Sequence, residues 1–332
     1  MTVTTPLAPI ALECGQSLSM EIAWRRIGQG PTKVLLIHAL TSGVFPDGPK
    51  GWWGPLFTPD APLAADRATV WAPNLPGSCY GSTGPRKGEP FPVLTPRDMA
   101  EALAAWIEAE DLQFDAAFGG SLGGMVILEL ALLRPDRIGA LGVIGTGGRS
   151  DAWILGQNHV QRRVLEDLSI PDDTAIALAR HAAMLTFRTP DSLNGRFPEG
   201  GIQAWLDHHG RALAQRFTRE SYLALLKAWD AHDLGRGRGG LTEALRGLRT
   251  PLHLLGIDSD QLFVPALIQE LAEAARAAGA DVRLDWLHTP HGHDAFLMEW
   301  GQVAAWLDTL LPDQGPQIPQ IPTDEKPDQM NL

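Results

Sequence analysis

From residue 20 to residue 311, short apolar runs alternate with longer stretches in which apolar side chains recur every three to four positions. The short runs predict strands at 21–27, 33–38, 69–73, 114–118, 140–145, 251–257 and 281–287. The helical periodicity predicts helices at 96–110, 122–134, 261–278 and 299–311. Strands and helices in alternation predict an α/β fold, a mostly parallel sheet with helices on both faces. The order breaks between about 150 and 248. There the pattern is helix after helix, at 151–167, 173–186, 200–215 and 219–230, with no strand between them. A helical stretch between two strands of one sheet is expected to lie over that sheet. The organisation predicted is one α/β domain from 10–150 and 248–311, interrupted by a helical lid at 151–247. Residues 1–9 are rich in Thr and Pro and are expected to be disordered. Residues 312–332 hold five prolines, and the run Gln317-Ile-Pro-Gln-Ile-Pro322 lacks donors for ladder or helix, so a disordered tail is expected there as well.

Composition narrows the function classes. The 332 residues are 44% hydrophobic and 20% charged, enough for a sizeable core. Asp+Glu outnumber Lys+Arg by 39 to 27, a formal charge of −12, which argues against nucleic acid or an acidic membrane as partner. Cys14 and Cys79 cannot build a disulfide framework or a thiolate zinc site and read as two reduced thiols. Met1 to Ile10 has neither a basic n-region nor a long apolar h-region, and no apolar run approaches the roughly 20 residues of a membrane span. The expectation is a soluble, cytoplasmic protein. The loop Gly235-Arg-Gly-Arg-Gly-Gly240 lacks the Lys-Ser/Thr of a phosphate-binding loop.

The sharpest chemical signal is Phe118-Gly-Gly-Ser121-Leu-Gly-Gly124, which follows a predicted strand and precedes a predicted helix. G-x-S-x-G in that context is a nucleophile elbow, with the serine hydroxyl raised at the carboxyl edge of the sheet. The flanking glycines permit the tight turn and close backbone packing.

Serine is a weak nucleophile and needs a base oriented by a third group, here expected in the order Ser, acid, His. Asp258 and Asp260 both follow the strand at 251–257. His288, His291 and His293 all follow the strand at 281–287. Spacing does not choose among them. Three histidines within six residues also suggest a metal, but no helical ligand pair and no thiolate accompany them, and no metal is expected. The strand at 33–38 runs into Ala39-Leu40-Thr41, where the second half of an oxyanion hole belongs; the expected donors are the backbone N–H groups of Leu40 and Leu122. His38 reads as a hydrogen-bonded loop histidine.

These residues carry a family resemblance. The chain resembles the homoserine O-acyltransferases of the α/β-hydrolase superfamily through His38-Ala-Leu-Thr41, Gly51-Trp-Trp53, Asn74-Leu-Pro-Gly-Ser-Cys-Tyr-Gly-Ser-Thr-Gly-Pro85, Gly119-Gly-Ser-Leu-Gly-Gly-Met125, Asn158-His-Val-Gln-Arg162, Ala179-Arg180, Met184-Leu-Thr-Phe-Arg188, Gln215-Arg-Phe217, Ser221-Tyr-Leu223, Asp260-Gln-Leu-Phe263 and Gly292-His-Asp-Ala-Phe-Leu297. They occur in family order over about 20–311. The resemblance implies the α/β-hydrolase fold, Ser121, Asp260 and His293 as the triad, and Arg180 and Asp294 as the groups that bind the amino-acid acceptor. That pairing suits a zwitterion, since a guanidinium matches a carboxylate and a carboxylate matches an ammonium. It implies acetyl transfer from acetyl-CoA to L-homoserine, a step of methionine biosynthesis, with acetyl-CoA as substrate, no held cofactor, and a homodimer.

Three segments depart from the family pattern. Leu75-Pro-Gly-Ser-Cys79 stands where the family usually has Leu-Gly-Gly-Cys, Ser42-Gly-Val44 follows the His-Ala-Leu-Thr block, and the insertion between Arg163 and Ile176 is short. The first two lie near the expected acyl pocket and the third trims the lid. Succinyl-CoA as donor, L-serine as acceptor, or water as acceptor in a serine esterase are therefore the competing readings.

Overall fold

A computed structural model describes residues 1–311; the predicted tail at 312–332 lies outside the described residues. The strands, in chain order, are β1 (Val3–Pro6), β2 (Ile10–Ala11), β3 (Ser17–Leu18), β4 (Glu21–Ile27), β5 (Thr32–Ile37), β6 (Ala68–Pro73), β7 (Ala116–Gly120), β8 (Leu141–Ile144), β9 (Leu252–Ile257) and β10 (Val282–Leu287). The helices are α1 (Pro96–Ala109), α2 (Leu122–Leu133), α3 (Ala152–Glu166), α4 (Asp172–Phe187), α5 (Pro190–Arg196), α6 (Ile202–Ala214), α7 (Arg219–Asp230), α8 (Leu241–Leu245), α9 (Pro265–Ala277) and α10 (Trp300–Asp308).

The main sheet has eight strands in the order β1-β4-β6-β5-β7-β8-β9-β10. The pairs β1/β4 and β4/β6 are antiparallel, and every pair from β6 to β10 is parallel. Parallel strands need crossover helices, which cover both faces; β7 and β8 are accordingly buried throughout and carry only glycine and apolar residues rather than an apolar/polar alternation. One apolar cluster gathers around Trp106, Met125 and Leu254 on one face. A second gathers around Phe118, Ile257 and Trp306 on the other. The α/β-hydrolase fold read from the sequence is the fold observed.

Residues 1–9 depart from expectation. They begin with β1, which adds an antiparallel edge to β4, pairing Val3 with Trp24 and Thr5 with Ile22. Trp24 Nε1 donates to Thr5 Oγ1 at 2.9 Å, and the Leu7 N–H continues the pairing to the Met20 carbonyl. Pro6 is tolerated because an edge strand can leave a donor position empty.

Between β8 and β9 the chain forms the helices α3 to α8. The two ends of this insertion are tied together: Ser150 N–H donates to the His232 carbonyl, and Leu234 N–H to the Gly148 carbonyl. Helix α9 starts at Pro265 rather than near 261, because Asp260 turns the chain first: its Oδ1 accepts from the N–H groups of Leu262 and Phe263.

In-register pairing of Ile37 with Gly119, Gly120 with Ile144 and Ile257 with Leu287 aligns the carboxyl ends of the parallel strands. The loops after β5, β7, β9 and β10 therefore emerge at one edge of the sheet, beneath the helical insertion.

Candidate active site

Ser121 stands between β7 and α2 with φ 54 and ψ −125, one of three non-glycine residues of positive φ among the described residues. Holding serine there is strained, and the surroundings over-determine it. Ser121 N–H donates to the Ile144 carbonyl at 2.9 Å, and Thr146 Oγ1 donates to the Ser121 carbonyl at 2.8 Å. Gly123 lies against β5, where a Cβ would come within 2.5 Å of the Ile37 carbonyl oxygen. At Gly119 a Cβ would meet the Gly123 backbone at 2.5 Å. Bare backbone at these two positions is what lets the elbow close.

The structure separates the acids and histidines that spacing left open. His293 Nδ1–H donates to Asp260 Oδ2 at 2.7 Å, and the two side chains are 3% and 0% exposed. Asp260 is fully committed: Oδ1 takes two backbone N–H groups and Oδ2 takes the imidazole. Asp258 turns outward instead and meets the exposed His288 at 2.9 Å. His291 Nδ1 bonds Ser192 Oγ at 2.9 Å. The three histidines thus face three different partners.

With Nδ1 protonated toward Asp260, the lone pair of His293 is on Nε2, which is buried and has no hydrogen-bond partner. The ring is walled by Phe187, Phe263, Phe296 and Trp229, at centroid distances of 5.5 to 6.5 Å. Burial pulls the imidazole pKa down, but the charge and hydrogen bond of Asp260, with Asp294 adding to them, more than offset it, so the proton is held more tightly than by an ordinary histidine. The turn that carries His293 is anchored at its far end by Trp53 Nε1–H, which donates to the Phe296 carbonyl at 3.1 Å.

Leu40 is buried in the loop after β5, and Leu122 opens α2, where the first-turn N–H groups have no helical acceptor. His38 sits behind this loop. Its Nδ1–H donates to the Ala39 carbonyl at 2.7 Å, and Nε2 accepts the Leu75 N–H at 2.9 Å. Burial lowers its pKa to about 4, so it is a neutral strut joining the loops after β5 and β6.

Arg180 and Asp294 are both buried, at 3% and 7% exposure. Among the described residues neither forms a direct ion pair, and Arg180 Nε has no hydrogen-bond partner. The Arg180 guanidinium lies 5.7 Å from the Phe187 ring centre, beside His293 in turn. Burial raises the Asp294 pKa, while Arg180, Arg188 and His293 pull it back only in part. Burial likewise lowers that of Arg180, and the nearby Asp294 carboxylate offsets it only in part. Arg180 and Asp294 are thus a buried cation and a buried carboxylate that sense each other's charge without forming an ion pair.

Two residues that shape this site carry no sequence signature of their own: Thr146 bonds the elbow and Trp229 packs on the imidazole only because β8 and α7 converge there, and Phe263, inside a resembling segment, packs on the same ring. Arg188 acts on Asp294 from the end of α4; it stands inside a resembling segment, but position in a segment does not reveal orientation.

Comparison with known proteins agrees with this geometry. The α/β-hydrolase family model matches residues 34–306. A homoserine O-acetyltransferase from Thermus thermophilus is 41% identical over 315 residues, covering 84% of this chain and 81% of that one. One from Nostoc punctiforme is 36% identical, covering 88% and 90%. Among solved structures, a homoserine O-acetyltransferase from Staphylococcus aureus superposes with a TM-score of 0.80 at 24% identity, covering 92% and 94%. An acetylester hydrolase from Corynebacterium glutamicum superposes with 0.79 at 16%, covering 93% and 95%. At these identities the structural likenesses show the fold alone, which transferases and esterases share.

Proposed function

We propose, for a chain that belongs to the α/β-hydrolase family and within it to the homoserine O-acetyltransferases, a ping-pong transfer of acetyl from acetyl-CoA to the hydroxyl of L-homoserine. The observation that carries the transferase reading is the burial of both Arg180, over the Phe187 ring that packs on His293, and Asp294, next to His293 in the chain, because an esterase that delivers acyl groups to water has no use for a zwitterion clamp.

In the first half-reaction Ser121 Oγ attacks the thioester carbonyl while its proton passes to His293 Nε2. Asp260 holds the imidazole in the required tautomer and stabilises its cation. The oxyanion accepts from the N–H groups of Leu40 and Leu122, each such donor being worth about 3–4 kcal/mol in related chemistry. The C–S bond breaks, and CoA leaves with the proton from Nε2. In the second half-reaction homoserine places its carboxylate at Arg180 and its ammonium at Asp294. Its hydroxyl gives a proton to His293 and attacks the acetyl ester of Ser121; the ester oxygen of Ser121 takes the proton back. The helical lid keeps water, the competing nucleophile, out. Acetyl-CoA serves as substrate and no bound cofactor takes part.

A homodimer is part of this proposal. Trp153, Val160, Leu168, Leu178 and Leu185 are exposed apolar residues on α3, α4 and the turn between them, and a second copy would cover them. Sedimentation of the wild type against a charge substitution at Val160 tests it. The function itself is tested by a matrix of acetyl-, propionyl- and succinyl-CoA against homoserine, serine and water, read as CoA release and product mass. Acetyl-CoA with homoserine is expected to dominate. Equal turnover with and without an amino-acid acceptor would replace the transferase by an esterase.

A further inference from the structure

The loop that carries Leu40 is held from three directions. His38 ties the Ala39 carbonyl to the Leu75 N–H. Trp52 Nε1–H donates to the Gly43 carbonyl at 2.9 Å. Arg216 Nη1 donates to the Thr41 carbonyl at 2.6 Å and to the Tyr80 hydroxyl at 2.7 Å. The first two ties come from the α/β core and persist whatever the lid does. Arg216 belongs to the lid, between α6 and α7, so its tie exists only while the lid is seated. Its neighbours reinforce the same contact. Phe217 packs edge-on against Tyr80 at 5.8 Å, and Tyr80 in turn fills the space over Gly43, where a Cβ would come within 2.4 Å of the ring. The Arg216 carbonyl lies 3.7 Å from Cys79 Sγ. The guanidinium has no carboxylate partner among the described ion pairs, and its Nε and Nη2 are buried without hydrogen-bond partners. Its directed bonds are spent on the Thr41 carbonyl and Tyr80, and a charge-assisted bond to a carbonyl is among the stronger ways to fix a peptide orientation.

We propose that Arg216 is a positioning residue that completes the oxyanion hole from the lid: the Thr41 carbonyl it holds shares a peptide with the Ser42 N–H, which donates to the Ala39 carbonyl at 3.2 Å, and that carbonyl shares a peptide with the Leu40 N–H, so the tie keeps the Leu40 N–H aimed at the developing oxyanion and the thioester is attacked only beneath a seated lid. This rests on the role of Leu40 proposed above. It also accounts for the chemistry demanded of the site: an acetyl-enzyme formed with the lid open would be lost to water, whereas acetylation that requires the lid leaves the ester in a closed chamber.

The test uses full-length Arg216→Met and Arg216→Lys, with Arg216→Gln in reserve if the Met variant does not fold. Single-turnover acetylation of Ser121, homoserine KM and affinity for an alkylboronic acid, which forms a tetrahedral adduct on the serine, are measured on each. Outright loss of an oxyanion donor costs about 10²–10³ in rate. A donor that remains but is misaimed is expected to cost about ten- to a hundredfold in acetylation, and the boronic acid should weaken in parallel. Homoserine KM should stay within about twofold, and Lys, which can still donate to Thr41, should restore most of the loss. Acetylation unchanged while homoserine KM rises tenfold would overturn the proposal and place the free edge of Arg216 in the acceptor site. Acetylation unchanged with only a lower unfolding midpoint would overturn it in favour of a brace for the fold. A wild type that never forms acetyl-Ser121 rejects the ping-pong reading itself, independently of Arg216.

Discussion

Asp260 and His293, 33 residues apart in sequence, meet through a 2.7 Å hydrogen bond in which both side chains are buried. Asp258, two residues away on the same turn, faces solvent and pairs with exposed His288. The difference is one of direction: past the end of β9 the chain turns, the Asp260 N–H closing onto the Ile257 carbonyl at 3.1 Å, which leaves Asp258 at the surface and buries Asp260.

That relationship ranks two substitutions. Asp260→Asn is expected to lower kcat by roughly 10⁴, by analogy with loss of the orienting carboxylate in a serine triad. Asp258→Asn, which removes an exposed pair of the kind worth at most about 1 kcal/mol, is expected to change kcat less than tenfold. Steady-state kinetics of the two variants check the ranking, and the reverse order would reject Asp260.

Ser121→Ala is expected to abolish acetyl-enzyme formation. Intact-protein mass after incubation with acetyl-CoA should show one added acetyl group on the wild type and none on the variant. Labelling that survives the substitution would put the nucleophile elsewhere.

The pH profile follows from the sign of the His293 shift. The base must be neutral, so acetylation should fall as pH drops through its pKa. Asp260 raises that pKa against the effect of burial, which sets the acid limb above the ordinary histidine range. In Asp260→Asn the limb should move to lower pH. The same linkage affects stability. A raised histidine pKa contributes stability below the unfolded-state value, and that contribution disappears as pH rises through the folded value. Asp260→Asn should therefore lose more stability at about pH 6 than at about pH 9. Urea unfolding at the two values measures this, and equal losses would show that the pair is not ionised as described.

Arg180→Ala removes the guanidinium assigned to the acceptor's carboxylate. Truncating one partner of a buried charge pair typically costs about 2–5 kcal/mol, so kcat/KM for homoserine should fall tens-fold or more. Single-turnover acetylation should stay near the wild-type rate. A variant that loses acetylation while its homoserine dependence is unchanged would move Arg180 to the donor site or the fold.

Gly123→Ala tests the elbow's closeness to β5. The added Cβ would stand 2.5 Å from the Ile37 carbonyl oxygen and 2.9 Å from that of His38, both backbone atoms that cannot swing away. Overpacking of this kind costs about 1–3 kcal/mol, and α2 should shift with Ser121 at its head. Chemical denaturation and acetylation rate should both suffer. A neutral result would show that the elbow has slack.

What the sequence determined by itself is the part written in local chemistry. Short apolar runs and the 3.6-residue period placed the parallel strands β5 to β10 and the main helices to within a few residues, because a parallel sheet must be apolar on both faces and its crossovers on one. G-x-S-x-G announced a strained turn, since only glycine permits the backbone contacts on either side of Ser121. Residues 1–9 do not announce their strand, because an edge strand is held by its partner β4 and its own Thr and Pro content does not show it. The order Ser, acid, His was legible, but the pattern of residues left Asp258 with Asp260, and His288 with His291 and His293; only resemblance chose between them, and only tertiary structure shows why. Direction and burial are set by where the carboxyl ends of β5, β7, β9 and β10 converge under the lid. That convergence turns His38 into a neutral strut, brings Arg180 and Asp294 close enough to feel each other's charge, and brings Arg216 onto the Thr41 carbonyl 175 residues away in sequence. Such contacts arise from long-range packing and carry no local pattern, which is why the chain alone does not announce them.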